Sequence, residues 1–203
     1  MNETRKASHA AIAVAAGAGL AAAVAILFSS TAAQAARKDA QVTRVERGKY
    51  LVAAMGCNDC HTPWKMGPKG PEPDMTRMLS GHPQDFKLPP APAAQGPWIW
   101  TAAATNTAFA GPWGISYAAN LTPDQNTGLA IWREEDFVKA IRTGKHFGVS
   151  REILPPMPWS AFRNLNDEDL KSIYAFLRTI PPVSNLVPDP QPPAAAPLAV
   201  AKK

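Results

Sequence analysis

Cys57-Asn58-Asp59-Cys60-His61 holds the only two cysteines of the 203-residue chain, with a histidine directly after the second. CxxCH is the attachment signal for c-type haem. Two thiols must add to the two vinyl groups on one edge of the porphyrin. A three-residue step on a short helical turn brings both sulfurs to that edge, and the next residue can swing its imidazole under the iron. Cys57 and Cys60 are therefore candidate tethers, and His61 is the candidate proximal ligand. Two other chemistries share the CxxC spacing. A thioredoxin-like dithiol opens a helix after a strand in a βαβ pattern, and nothing before Cys57 alternates like a strand. A zinc site needs a second Cys/His pair at ligand spacing. His82 and His146 stand alone, and no further cysteine exists.

The other face of the iron decides what such a site does. A second strong protein ligand closes it for electron transfer, whereas an open position admits small molecules or peroxide. The candidates are Met55, Met66, Met75, Met78, Met157, His82 and His146. Met55 is too close to the attachment turn to reach the far face. Met66, Met75 and Met78 fall in a loop-rich stretch, where methionine ordinarily fills gaps. Met157 sits in Pro155-Pro156-Met157-Pro158, where prolines fix φ and lower the entropy lost in presenting one thioether. His/Met ligation raises the reduction potential. His146, after Gly144 and Lys145, reads as a surface or capping group, and His82, beside Pro83, as a loop residue.

These residues need elements to position them. From Gln41 to Met55 the pattern is helical, with Val45, Gly48, Val52 and Met55 near one face and Arg44, Glu46, Arg47 and Lys49 toward water. Gly48 costs helix stability; its use is to let another helix approach closely, the alternative being a tolerated surface glycine. Residues from about 62 to 116 are dense in Pro and Gly, which excludes long helices and central strands. The same stretch carries Trp64, Phe86, Trp98, Trp100, Phe109 and Trp113, which a disordered linker would lack. It reads as an ordered loop insertion with a short extended pair around Trp98 to Thr101, its aromatics covering the haem and core. A turn follows at Asn120-Leu121-Thr122-Pro123-Asp124. A helix over Glu134 to Thr143 puts Phe137, Ala140 and Ile141 on one face, although Arg133 at its N-cap cannot accept free amide protons. The clearest helix is capped by Asn166 and loaded with acid at Asp167 to Asp169. Leu170, Ile173, Tyr174 and Leu177 follow at helical spacing, and Pro181 and Pro182 stop it. Residues 183–203 form a Pro/Ala tail that predicts disorder.

The N-terminal 35 residues read as an export signal: Arg5 and Lys6, an apolar run from Ala10 to Phe28, then Ala33-Gln34-Ala35 as a cleavage site. The rival is an uncleaved anchor associating the protein with a membrane, because the run approaches spanning length. Export, here to the periplasm, agrees with CxxCH, because haem is joined to apocytochromes outside the bacterial cytoplasm. The formal charge of the whole chain is +5. A modest basic excess suits acidic protein partners or a membrane surface. The basic residues are scattered, without a nucleic-acid-binding motif, which argues against nucleic acid as a partner.

In the order of these pieces the chain resembles the monohaem class I c-type cytochromes. The match looks closer still to periplasmic cytochromes related to cytochrome subunits of bacterial dehydrogenases. It is carried by Asn120-Leu121-Thr122-Pro123-Asp124, Thr127-Gly128, Trp132, Glu135-Asp136-Phe137, Arg142-Thr143-Gly144-Lys145-His146 and Pro156-Met157-Pro158-Trp159, then by Asp167-Glu168-Asp169-Leu170 and Tyr174-Ala175-Phe176-Leu177. The resemblance is strong over 42–61 and 117–182 and weaker between. It implies an all-α class I cytochrome c fold over 36–182, carrying the loop insertion. First and last helices would cross beside the haem, with Gly48 and Tyr174 near the crossing. It further implies one covalent haem c, with His61 and Met157 as iron ligands. The redox partners would be a dehydrogenase as donor and an oxidase or another cytochrome as acceptor. Larger subunits of this kind often carry three haem motifs; the single one here suits a stand-alone carrier or a single-haem subunit. No residue is assigned as acid, base or nucleophile. The alternative is a peroxidase-like haem enzyme or small-ligand sensor with an open distal site.

Overall fold

A computed structural model describes Gln34 and residues 37–91 and 97–193. The export signal, apart from Gln34, and residues 194–203 lie outside the described residues. Helical residues run from 37 to 54, and the chain divides at Thr43 into two units. In the first unit Thr43 Oγ1 donates to the Asp39 carbonyl one turn back (2.9 Å). The core and the site belong to the second unit, Arg44–Lys203, and α1 denotes the helical residues 44–54. Then come α2 (Cys57–His61), β1 (Trp64–Gly67), β2 (Gly70–Pro73), β3 (Thr101–Ala102), β4 (Ala108–Gly111) and β5 (Gly114–Tyr117). The chain continues with α3 (Glu134–Thr143), α4 (Trp159–Phe162) and α5 (Asp167–Leu177).

One hydrophobic cluster joins the helices: Leu51 and Val52 from α1, Phe137 and Ile141 from α3, and Leu170, Ile173, Phe176 and Leu177 from α5. These are the apolar stripes at helical spacing, and burying each large side chain contributes about 1.5–3 kcal/mol. α1 and α5 meet where a side chain is missing. A Cβ on Gly48 would lie 1.9 Å from the Ser172 carbonyl oxygen and 2.8 Å from Phe176 Cβ. Only glycine allows that approach. Tyr174 turns elsewhere: its ring packs on Phe137 and its hydroxyl donates to the Trp132 carbonyl (2.6 Å). Arg47 Nε to Asp169 Oδ1 (2.8 Å) ties α1 to α5, and Arg44 to Glu134 (3.0 Å) ties α1 to α3.

Both well-formed helices start as electrostatics requires. Asn166 Oδ1 accepts the Asp169 N–H at 2.7 Å, and the acids at 167–169 face the positive end of the α5 dipole. At α3 the cap is inverted. Asp136 accepts the backbone N–H of Arg133 and holds its guanidinium with both oxygens (3.0 Å each). The arginine that cannot cap is itself captured.

The insertion departs from an all-α chain. β1 and β2 form an antiparallel hairpin, and β3-β4-β5 form a second antiparallel sheet. Both tight turns read Gly-Pro-x-Gly: Gly67-Pro68-Lys69-Gly70 and Gly111-Pro112-Trp113-Gly114. Proline presets φ at the first turn position, and the closing glycine takes positive φ (+117° and +92°). The second extended pair holds Thr101 opposite Ala110. The tail also differs from expectation. Residues 183–193 run extended against the domain: Gln191 pairs with Ile115 of β5, and Asn185 is fully buried. Polar contacts hold this strap, a source of order that proline-rich composition does not reveal. Among the described residues no helix is long and apolar enough to cross a membrane.

Candidate functional site

α1 runs through Met55-Gly56 directly into the five-residue turn α2, so the core helix aims the CxxCH motif. Cys57 and Cys60 are free, half-buried thiols one turn apart. Burial pushes the Cys57 thiol up to about 11, and burial followed by the nearby Asp59 carboxylate raises Cys60 as well. A redox-active dithiol needs a lowered thiol pKa; this environment does the opposite. No group of three or more His, Cys, Asp or Glu side chains that could hold a metal ion forms among the described residues. The insertion grips the turn between the cysteines, where the Asp59 carbonyl accepts from Trp64 Nε1 (3.0 Å) and Asn106 Nδ2 (2.7 Å).

His61 is buried, and its Nδ1 lies 2.8 Å from the Ala119 carbonyl oxygen. A carbonyl can only accept, so Nδ1 carries the proton and the lone pair stays on Nε2. Burial lowers the His61 pKa from the usual imidazole value, and the Ala119 carbonyl opposes that shift. A neutral imidazole whose far nitrogen donates to a backbone carbonyl is the form in which histidine ligates metals. Two thiols one turn apart and a histidine of fixed tautomer thus fit a covalently held haem.

The turn at Asn120-Leu121-Thr122-Pro123-Asp124 follows directly on this contact. The acceptor is the preceding residue, Ala119, which continues from β5. Two arms brace it. The Gly81 N–H donates to the His61 carbonyl (2.8 Å), and the His82 N–H donates to the Ala118 carbonyl (2.9 Å). Gly81 has φ +77°, and a Cβ there would sit 2.5 Å from the Ala118 oxygen and 2.6 Å from the Ala119 carbonyl carbon. On the other side, Asn120 Oδ1 accepts from the amide and hydroxyl of Thr122 (3.0 and 2.7 Å), and its Nδ2 donates to the Val183 carbonyl (2.8 Å).

Met157 is half-buried and packs, like Cys57, against the hydrophobic cluster. Its loop is held from β5: buried Ser116 donates to the Pro155 carbonyl at 2.5 Å. The run 116–119 therefore touches the Met157 loop at one end and the His61 ring at the other. Met66 and Met75 point to solvent, 77% and 55% exposed, while Met55 and Met78 pack on the cluster. His82 is not a plain loop residue. It is buried, with Nδ1 on Thr107 Oγ1 (2.9 Å) and Nε2 on the Phe86 carbonyl (3.1 Å), so neither ring nitrogen is free. His146 is half-buried, edge-on to Trp132 (5.0 Å). Of the insertion's aromatics, Phe109 is buried, but Trp98 is 73% exposed, and Trp100 and Phe86 are exposed as well, as is the neighbouring Ile99. Trp100 still sets its ring edge-on to buried Phe109 (5.8 Å) and Phe86 to buried His82 (6.0 Å), whereas Trp98 and Ile99 are the most exposed of these.

No family model matches the chain. In sequence it is similar to cytochrome c subunits of bacterial dehydrogenases. It is 29% identical over 135 residues to the fructose dehydrogenase cytochrome subunit of Gluconobacter japonicus, covering 66% of this chain and 21% of that one. It is 29% identical over 174 residues to the cytochrome c subunit of the quinone alcohol dehydrogenase of Gluconobacter oxydans, covering 84% and 29%. A nicotinate dehydrogenase subunit of Pseudomonas putida is 30% identical over 147 residues, covering 71% of this chain and 9% of that one. The chain spans less than a third of the length of each of these curated relatives.

Proposed function

We propose that this protein is an exported, periplasmic monohaem cytochrome c that passes single electrons between a dehydrogenase and an oxidase or another cytochrome. The observation that carries the reading is the CxxCH turn with the buried His61 ring set by its Nδ1 contact on the Ala119 carbonyl. When bound, haem supplies a one-electron ferric–ferrous couple whose potential the axial ligands tune. Cys57 and Cys60 would tether it, and His61 and Met157 would hold the iron. Ala119 fixes the ring of His61, and Ser116 fixes the backbone ahead of Met157. No acid, base or nucleophile is assigned.

A second reading concerns how the carrier is used. Trp98, Ile99 and Trp100 are consecutive and exposed, and exposed apolar groups on a folded domain often mark an interface. This favours a carrier that docks on its dehydrogenase as a subunit over one that diffuses freely. The test of the main reading is mass and titration of the mature protein. The denatured polypeptide should carry the mass of one haem and take up one electron per chain, and a Cys57→Ser/Cys60→Ser double variant should carry none. A wild-type polypeptide that sheds all haem on denaturation would overturn it.

A further inference from the structure

We infer that Asn185, in the C-terminal strap, is a positioning residue for the His61 ring. The inference rests on the proposal that His61 is an iron ligand. The Asn185 amide faces two carbonyls and one amide, which allows only one orientation. Nδ2 donates to the Ser80 and His82 carbonyls (2.7 and 2.9 Å), and Oδ1 accepts the Gln84 N–H (2.9 Å). Those bonds bracket Gly81, whose N–H holds the His61 backbone and whose bare Cα lies against the Ala118–Ala119 peptide. The Asn185 backbone N–H donates to Thr127 Oγ1 (3.0 Å), which also receives Asn120 Nδ2 (3.1 Å). One buried side chain with its own amide thus ties together both arms that flank the carbonyl on which His61 rests. The Ser80 and His82 carbonyls and the Asn185 amide that meets them are withdrawn from water, so a lost partner leaves buried carbonyls unsatisfied and the arms free to separate.

A looser Nδ1–H···O=C bond makes the imidazole a weaker donor to iron. The test uses the holoprotein and two variants, Asn185→Ala and the volume-matched Asn185→Leu, each of which loses both donations and the acceptor for Gln84 without adding a charge. Each should raise the midpoint potential and speed solvent exchange of the His61 Nδ1 proton at least tenfold, with the haem still attached. Unchanged potential and exchange in a variant that merely melts lower would overturn the inference. The unsubstituted protein gives a check that needs no variant to fold. There the Gln84 N–H and the His61 Nδ1 proton should exchange through a common opening, and a Gln84 N–H exchanging more than tenfold faster than the ring proton would also overturn it. Failure of the ligand reading itself is distinct: the wild-type ring proton would then show no iron-induced shift at all.

Discussion

Gly48→Ala tests whether α1 and α5 are fitted to each other or merely adjacent. A Cβ at position 48 would stand 1.9 Å from the Ser172 oxygen and 2.6 Å from its carbonyl carbon, where ordinary contact begins at 3.4 Å. The obstacle is backbone, so no rotamer change relieves it and the helices must separate. Separation strips contact from Leu51 and Val52 on one side and from Leu170, Ile173 and Phe176 on the other, which share one cluster. Overpacking of this sort costs about 1–3 kcal/mol. Alanine in a helix interior returns up to about 1 kcal/mol of intrinsic propensity. With a rigid obstacle the steric term dominates, and the variant should be about 1–2 kcal/mol less stable. For a domain of this size that is a fall of about 2–8 °C in Tm. The assay is thermal unfolding of the holoprotein followed by far-ultraviolet circular dichroism. A Tm equal to or above that of the unsubstituted protein would mean that propensity outweighs the fit, and the reasoning about the crossing would be refuted.

Two further predictions follow from the polar groups. His82→Leu removes the partners of Thr107 Oγ1 and the Phe86 carbonyl in a buried setting, so denaturant unfolding should show a loss of about 1–3 kcal/mol. The ferric absorption spectrum should not change, and a changed axial-ligand signature would contradict the core role given to His82. Asp124, Asp136, Asp167 and Asp169 all titrate below the usual carboxylate range, held there first by hydrogen bonds from Thr127, Arg133, Arg142 and Arg47 respectively. Their folded pKa values are depressed, so the unfolded chain binds more protons at low pH. The stability they contribute is present above the unfolded carboxylate pKa, about 4, and is lost as pH falls through the lower folded values. Tm should hold from pH 7 to about 5 and drop steadily below about 4; an unchanged Tm at pH 3 would count against these pairs.

The helices and the attachment turn are legible in the sequence because their signals are local. Asn166 with three acids and an apolar stripe specifies α5, Gly48 marks a close approach, and CxxCH is specific by itself. The insertion is less legible. Its proline density excludes long elements but does not exclude short hairpins, and the repeated Gly-Pro-x-Gly turn is the signal that could have placed β1–β2 and β4–β5. The strap at 183–193 escapes a composition-based reading because such a reading asks how much apolar surface a segment can bury. Asn185 is held by hydrogen bonds to Ser80, His82 and Gln84, about a hundred residues away in sequence, and nothing in its own neighbourhood announces them. The Ala119 carbonyl is invisible for the same reason. Every residue carries such an acceptor, and only the fold selects one.

The most direct test of the central claim is the absorption spectrum of the purified ferric holoprotein, recorded beside that of Met157→Ala. The account predicts a low-spin spectrum with the weak far-red sulfur-to-iron charge-transfer band, and loss of that band in the variant. A high-spin spectrum in the unsubstituted protein, or a band that survives Met157→Ala, would contradict it; the first outcome would bring forward an open-site enzyme or sensor.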